Sequence, residues 1–156
     1  MIEPGVLAPD VTLLDRAGAE HPLRGLVEQP TLLIFFKADC PVTPEVLPVY
    51  AAWRRYEPAV QLVGISQDDP EETSTFLEEL GVKMPTFYDP GPYRVSSAFQ
   101  LQAVPAAVFL VEGKVTWAGE GWNRQGAERL ARQLASLAGD EPVVVGADHL
   151  PPFKPG

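Results

Sequence analysis

The stretch Thr31–Phe36 constrains the fold of this chain more than any other, because it reads Thr-Leu-Leu-Ile-Phe-Phe without a charged residue. A run of that length and character predicts a central β-strand whose two faces are both covered. Covering both faces takes a sizeable core, and 46% of the 156 residues are hydrophobic. Length and composition together predict a single well-packed domain.

Apolar runs alternate with longer amphipathic segments along the rest of the chain. In order, the pattern predicts a strand at 11–14 that turns back through 21–23, the strand at 31–36, a helix at 44–56, a strand at 60–66, a helix at 70–80, a short strand at 86–88, a short helix at 93–99, a hairpin of 106–111 with 114–118, and a helix at 124–137. Asp69 and Asn123 are the expected N-caps of two of these helices.

This order predicts an α/β fold with a central mixed sheet, helices on both faces and an N-terminal β-hairpin. Residues 1–139 are assigned to that domain. The proline-rich residues 140–156 are assigned to a tail, which either lies over the domain as an extended arm or is loose.

The charge of the chain excludes several classes of partner. Its net charge is −9 at pH 7, and its 12 Lys and Arg residues form no basic stripe. Neither nucleic acid nor an anionic membrane surface is therefore expected as a partner. No segment approaches the ~18 apolar residues of a membrane span, and no leader-like sequence opens the chain. With a single cysteine, no internal disulfide can form, so a cytoplasmic location is expected.

No cofactor or metal site is expected either. The chain has no glycine-rich phosphate loop and no dinucleotide fingerprint. The carboxylates of residues 68–72 are interpreted as helix-capping and surface groups. His21 and His149 are isolated in the sequence, so neither a zinc site nor a Cys–His pair is expected.

Cys40 is the strongest candidate in the sequence for a chemically reactive residue. It lies between the apolar run and the next helix, and a thiol at a helix N-terminus has its thiolate stabilised by free N–H groups and the helix dipole. Pro41 suits the first position of that helix, where no hydrogen-bond donor is needed. The alternative is a buried structural cysteine.

Three features together resemble the thioredoxin superfamily, and within it the TlpA-like redoxins of AhpC/TSA type. They are the order of elements, the dipeptide Cys40-Pro41 after the first long strand, and Val104-Pro105 just before the closing hairpin. Segments 5–13 and 99–105 are also similar to the start of that branch and to its approach to a cis-proline. The resemblance spans residues 5–138 and implies a thioredoxin-like fold.

The resemblance also implies roles for individual residues. Cys40 would be the nucleophile, and Pro105, following a cis peptide bond, would lie beside it as a catalytic residue. Pro41 and Val104 would contact the substrate, Val104 through a backbone edge that pairs with an extended chain.

Thr43 departs from the family pattern, because a dithiol redoxin carries its second cysteine at this position. A hydroxyl cannot attack a mixed disulfide, so this chain cannot resolve one by itself. Thr43 either donates a hydrogen bond to the Cys40 thiolate or is only a first-turn helix residue. We therefore expect a single-cysteine thiol–disulfide oxidoreductase. Its partners would be a protein or small-molecule thiol or disulfide and an external reducing thiol.

Two alternative functions stay open. The pattern Cys40-x-x-Thr43-Pro44 is similar to the active site of glutathione peroxidases, and Gln67 stands after the next strand as their glutamine does. Their Trp-Asn pair is missing before residue 106, and peroxiredoxins need a threonine where Lys37 stands. The other alternative is a non-catalytic binding module on the same fold.

Overall fold

The computed structural model describes residues 1–156, which form nine strands, five α-helices and one 3₁₀ helix. The strands are β1 (Thr12–Leu14), β2 (Glu20–Pro22), β3 (Thr31–Phe36), β4 (Gln61–Ser66), β5 (Thr86–Tyr88), β6 (Ala106–Val111), β7 (Lys114–Glu120), β8 (Trp122–Asn123) and β9 (Phe153–Lys154). The helices are α1 (Leu23–Leu26), α2 (Thr43–Ala51), α3 (Pro70–Leu80), α4 (Arg94–Ala98) and α5 (Arg124–Ala138). None of these helices has the length and apolar character required to cross a bilayer.

Seven strands form one mixed sheet in the order β2-β1-β5-β4-β3-β6-β7. β3 lies inside this sheet, parallel to β4 on one side and antiparallel to β6 on the other. All six residues of β3 are buried, as predicted for a strand covered on both faces. The N-terminal hairpin predicted from the turn sequence is formed by β1 and β2.

Each face of the sheet has its own apolar core. Leu32, Ile34 and Phe36 point to the face covered by α2, α3 and α5. Leu33 and Phe35 point to the opposite face, where α1 and α4 pack. This division follows from the two-residue period of a strand. The prediction of helices on both faces is therefore confirmed.

The capping and turn predictions are confirmed by the hydrogen bonds. Asp69 accepts the N–H of Glu72 at 2.8 Å, and Asn123 accepts the N–H of Gly126 at 2.7 Å. The hairpin between β6 and β7 turns at Glu112 and Gly113, whose φ values of 53° and 75° suit a two-residue turn with both residues left-handed.

The helix predicted over residues 44–56 differs from the observed one. Regular α-helix begins at Thr43 and ends at Ala51, and Ala52–Tyr56 forms a tighter 3₁₀ helix. Pro48 lies inside α2, where it cannot donate a backbone hydrogen bond. Pro58 then ends the segment, because a residue before proline disfavours helical backbone angles.

The tail lies over the domain, one of the two arrangements expected for it. Ala147 and Leu150 are buried in the core beside α5, and β9 pairs antiparallel with β8. The indole Nε1 of Trp122 donates to Pro151 O at 2.8 Å, and Trp122 is fully buried. Tyr56 and Trp53 likewise donate to backbone carbonyls of the tail.

Candidate active site around Cys40

Cys40 lies in a tight turn between the end of β3 and the start of α2. The Cys40 N–H donates to Lys37 O at 3.3 Å, and the Thr43 N–H donates to Cys40 O at 3.1 Å. A 2.7 Å hydrogen bond from the Ala38 N–H to Asp68 Oδ2 ties the turn to the end of β4. Hydrogen bonds within the turn and to the segment after β4 therefore fix the backbone that carries the thiol. β3 and β4, the strands that lead into these two segments, are parallel neighbours in the sheet.

Pro41 belongs to this turn and not to α2, which corrects its expected place at the first helical position. The turn closes with the Thr43-to-Cys40 hydrogen bond before the regular helix starts. Pro44 takes the early helical position instead, where the lack of an N–H costs nothing. Pro41 remains exposed beside the thiol.

Cys40 is half-buried, and its thiol makes a hydrogen bond to the backbone of a distant segment. Its Sγ donates to the carbonyl oxygen of Val104 at 3.2 Å. The Val104–Pro105 peptide bond is cis, as expected, and Pro105 is buried. The Gly121 N–H donates to Pro105 O at 2.7 Å and connects this loop to the end of β7. Cys40, Val104 and Pro105 thus meet in one place.

Thr43 is fully buried, and its Oγ1 makes no hydrogen bond to any protein atom, Cys40 Sγ included. A buried hydroxyl without a partner costs about 1–3 kcal/mol. The first turn of α2 therefore holds a buried hydroxyl without a partner, three residues after Cys40.

Lys37 interacts with groups other than the sulfur. Its Nζ lies 3.4 Å from the hydroxyl of Tyr93 and 3.9 Å from Asp39 Oδ2. The hydrogen bond to Tyr93, followed by the charge of Asp39, raises the pKa of Lys37. The lysine therefore stays protonated at the rim of the site.

A cavity of about 250 Å³ opens beside Val104. Gln67 lines it, and its Nε2 donates to Ser96 Oγ at 3.1 Å. Tyr93 and Ser96 line the same cavity. In the sequence they stand out only as members of the short helix predicted at 93–99, because it is the tertiary path of α4 that brings them to the cavity.

The two histidines lie in other parts of the molecule. His21 Nε2 lies 2.8 Å from Asp15 Oδ2 on the N-terminal hairpin, and its ring packs edge-on against Phe87. That hydrogen bond is the main cause that lowers the pKa of Asp15. His149 is exposed in the tail.

The amino-acid sequence of this chain is similar to those of known proteins. The model of the AhpC/TSA family matches residues 4–118. Methylamine utilization protein MauD of Paracoccus versutus is 35% identical over 116 residues, which cover 70% of this chain and 54% of MauD. This chain thus spans about half the length of that curated relative.

Solved structures share the fold at low sequence identity. A Chlorobium tepidum protein assigned as thiol:disulfide interchange protein DsbE superposes with a TM-score of 0.74 at 19% identity, over 88% of this chain and 99% of that one. A secreted disulfide oxidoreductase of Mycobacterium tuberculosis superposes with a TM-score of 0.64 at 20% identity, over 81% of this chain and 96% of that one. The fold is thioredoxin-like, and the chain belongs to the AhpC/TSA family.

Proposed function

We propose that this protein catalyses thiol–disulfide exchange through the single thiol of Cys40, with an external thiol completing each turnover. The observation that carries the proposal is the position of this thiol on a half-exposed residue. It lies in the turn before α2, bonded to the Val104 carbonyl at 3.2 Å beside Pro105. The disulfide oxidoreductase and interchange proteins named above share the fold that builds this position.

The proposed reaction consists of two exchanges. The Cys40 thiolate attacks one sulfur of a disulfide, a new S–S bond forms, and the other sulfur leaves as a thiolate that takes up a proton. An external thiolate then attacks the sulfur of the bound partner, forms a new disulfide with it and releases Cys40 as thiolate. No net electrons pass to the protein, because each bond broken is replaced by one formed.

Three groups of the chain support these steps. The Val104 carbonyl accepts a hydrogen bond from the resting thiol and fixes the direction of the sulfur. The N-terminal end of α2, a nine-residue helix, favours the negative charge on the attacking sulfur. The free hydroxyl of Thr43 is available to donate to that charge, and doing so would give it the partner it lacks.

The test compares the whole protein with a peptide of residues 37–43, which has the same local sequence without the fold. Both react with 5,5′-dithiobis(2-nitrobenzoate) at pH 7, and the release of thionitrobenzoate is followed. We expect the protein to react about tenfold faster or more, and added thiol to regenerate it over many cycles. Cys40→Ser should release nothing. Equal rates for protein and peptide would refute the proposal.

A one-cysteine thiol peroxidase is a second candidate, favoured by the place of Gln67 in the cavity beside Val104. In that reaction the Cys40 thiolate attacks a peroxide oxygen, sulfenic acid forms, and water or an alcohol leaves. A sulfenic acid trapped by dimedone, together with fast consumption of peroxide, would favour it. The Gln67 amide nitrogen already binds Ser96 Oγ, which weakens this candidate.

The cytoplasmic location also belongs to this proposal. An external reducing thiol is needed in each cycle, and the cytoplasm keeps such thiols reduced.

A further inference from the structure

Residues 151–156, called the strap below, lie against the backbone that binds the Cys40 thiol. A Cβ atom built on Gly156 would lie 2.9 Å from the carbonyl oxygen of Val104 and 3.2 Å from Ala103 Cβ. The same carbonyl oxygen accepts the hydrogen bond from Cys40 Sγ. The strap therefore covers one side of the candidate active site.

The strap is held there by several independent contacts. Its carbonyls at Pro151 and Pro152 accept from Trp122 Nε1 at 2.8 Å and from the Arg124 N–H at 2.9 Å. The strap contains β9, which pairs with β8. The Lys154 Nζ of the strap lies 2.5 Å from Glu45 Oε2, in the first turn of α2. These contacts join the strap both to the end of the sheet and to the helix that follows Cys40.

Gly121 permits the close approach of the strap. It has a φ of 64°, and a Cβ built on it would lie 2.6 Å from the backbone nitrogen of Gly156. Real Cβ contacts are almost never that short, so any other residue at position 121 would push the strap away. The strap fits the local backbone too closely to be a loose tail.

The position of the strap limits which thiol compounds can form a mixed disulfide with Cys40. In a disulfide the two Cα atoms lie about 4.4–6.8 Å apart, so a polypeptide cysteine must bring its flanking residues close to the turn. An extended chain alongside residues 103–105 would lie about 4.8 Å from them and would meet Gly156, the strap residue next to Ala103 and Val104. A small thiol needs no such room. Val104, whose carbonyl binds the thiol, lines a cavity of about 250 Å³ to which neither the strap nor Cys40 contributes, so the strap leaves that space free.

We propose that the strap is a specificity element, which restricts Cys40 to low-molecular-weight thiols and disulfides and admits a polypeptide only when the strap is displaced. This inference rests on the proposed thiol–disulfide exchange and adds its substrate class. The proposed role of residues 151–156 is steric: they restrict access to Cys40 and take no part in the exchange reaction.

The first experiment uses the unaltered protein. Because the chain lacks a second cysteine, a mixed disulfide on Cys40 is stable after excess thiol is removed, and either free cysteine or a ten-residue extended peptide with a central cysteine can be trapped. Amide hydrogen exchange is then followed at Arg124 and across residues 147–156. We expect the peptide adduct to speed exchange there and the cysteine adduct to leave it unchanged. A peptide adduct with a fully protected strap would overturn the inference.

The second experiment measures rates with two probes that carry the same thionitrobenzoate leaving group, one on cysteine and one on the peptide. Lys154→Glu replaces the ion pair with Glu45 by repulsion and should raise the peptide rate relative to the cysteine rate about threefold. Lys83→Glu makes the same charge change at an exposed residue away from the strap and should leave the ratio unchanged. The swap Glu45→Lys with Lys154→Glu should restore the original ratio.

The outcomes separate the two proposals. If both probes react but Lys154→Glu changes their rates equally, the strap has no role in specificity while the proposed function stands. If the cysteine probe does not react with Cys40 at all, the proposed function fails and this inference fails with it.

Discussion

The Cys40 thiol donates a 3.2 Å hydrogen bond to the carbonyl oxygen of Val104, 64 residues further along the chain. This contact joins the turn after β3 to the loop before β6, two strands that are neighbours in the sheet. The candidate site is thus built from two loops at one end of an adjacent strand pair.

Replacing Thr43 by cysteine should supply the missing resolving thiol. A thiol three residues after Cys40 in the same turn can attack a mixed disulfide and form an internal one. With dithiobis(nitrobenzoate), the natural protein should release a single equivalent of thionitrobenzoate and keep the second bound. Thr43→Cys should release both, and mass spectrometry should find no retained adduct. A retained adduct in the variant would mean that the two side chains do not meet.

Replacing Thr43 by valine should stabilise the protein and slow its chemistry. Valine has nearly the shape of threonine but removes a buried hydroxyl without a partner, so the free energy of unfolding should rise by about 1 kcal/mol. If the hydroxyl assists the Cys40 thiolate, the exchange rate should fall in the same variant. Urea unfolding and thionitrobenzoate release measure the two effects.

Thr31→Val is the matched control for that variant. Thr31 is equally buried, but its Oγ1 donates to Gln29 O at 2.9 Å. Its loss should lower the free energy of unfolding by about 1 kcal/mol and leave exchange unchanged. Stabilisation by both valines would show that the added apolar packing, not the removal of an unpaired hydroxyl, explains the gain.

Trp122→Phe should loosen the tail. The change keeps an aromatic ring in the core but removes the 2.8 Å hydrogen bond from Nε1 to Pro151 O. We expect a loss of about 1 kcal/mol in the free energy of unfolding and faster proteolysis after residue 140. Trp117→Phe is the control, since that half-buried indole donates no hydrogen bond. Equal proteolysis of the two variants would contradict the prediction.

The hydrogen-bonded pair of Asp15 and His21 should stabilise the folded protein at pH values above 3.8 and should lose this effect in stronger acid. The hydrogen bond from His21 lowers the pKa of Asp15 in the folded protein below its ordinary value of 3.8. The unfolded chain therefore binds a proton at higher pH than the folded one, and this contribution is lost as the pH falls below 3.8 through the folded pKa.

Asp15→Asn tests this dependence, because the amide keeps an oxygen for the N–H groups of Ala17 and Ala19. The variant should unfold at lower urea concentration than the natural protein at pH 6, and the gap should close towards pH 2. A gap that is constant with pH would point to a steric cause instead of a change in charge.

Local sequence signals predicted the elements of this fold well. The uncharged run at Thr31–Phe36 had to be a central strand, because only a sheet with two covered faces buries every side chain of such a run. Asp69 and Asn123 marked two helix N-caps through interactions within a few residues of themselves. The end of α2 was missed because the periodic pattern does not distinguish an α-helix from the 3₁₀ helix of Ala52–Tyr56, whose Trp53 and Tyr56 donate hydrogen bonds to the tail.

By itself, the sequence determined the order of elements, the place of Cys40 between β3 and α2, and the lack of a second thiol at Thr43. Each of these follows from chemistry local to the chain. Only the tertiary structure decided that the Val104 carbonyl holds the thiol, that Tyr93 and Ser96 line the neighbouring cavity, and that the strap lies against the site. These contacts join residues far apart in the chain, and no local periodicity or propensity encodes which distant segments the packed core brings together.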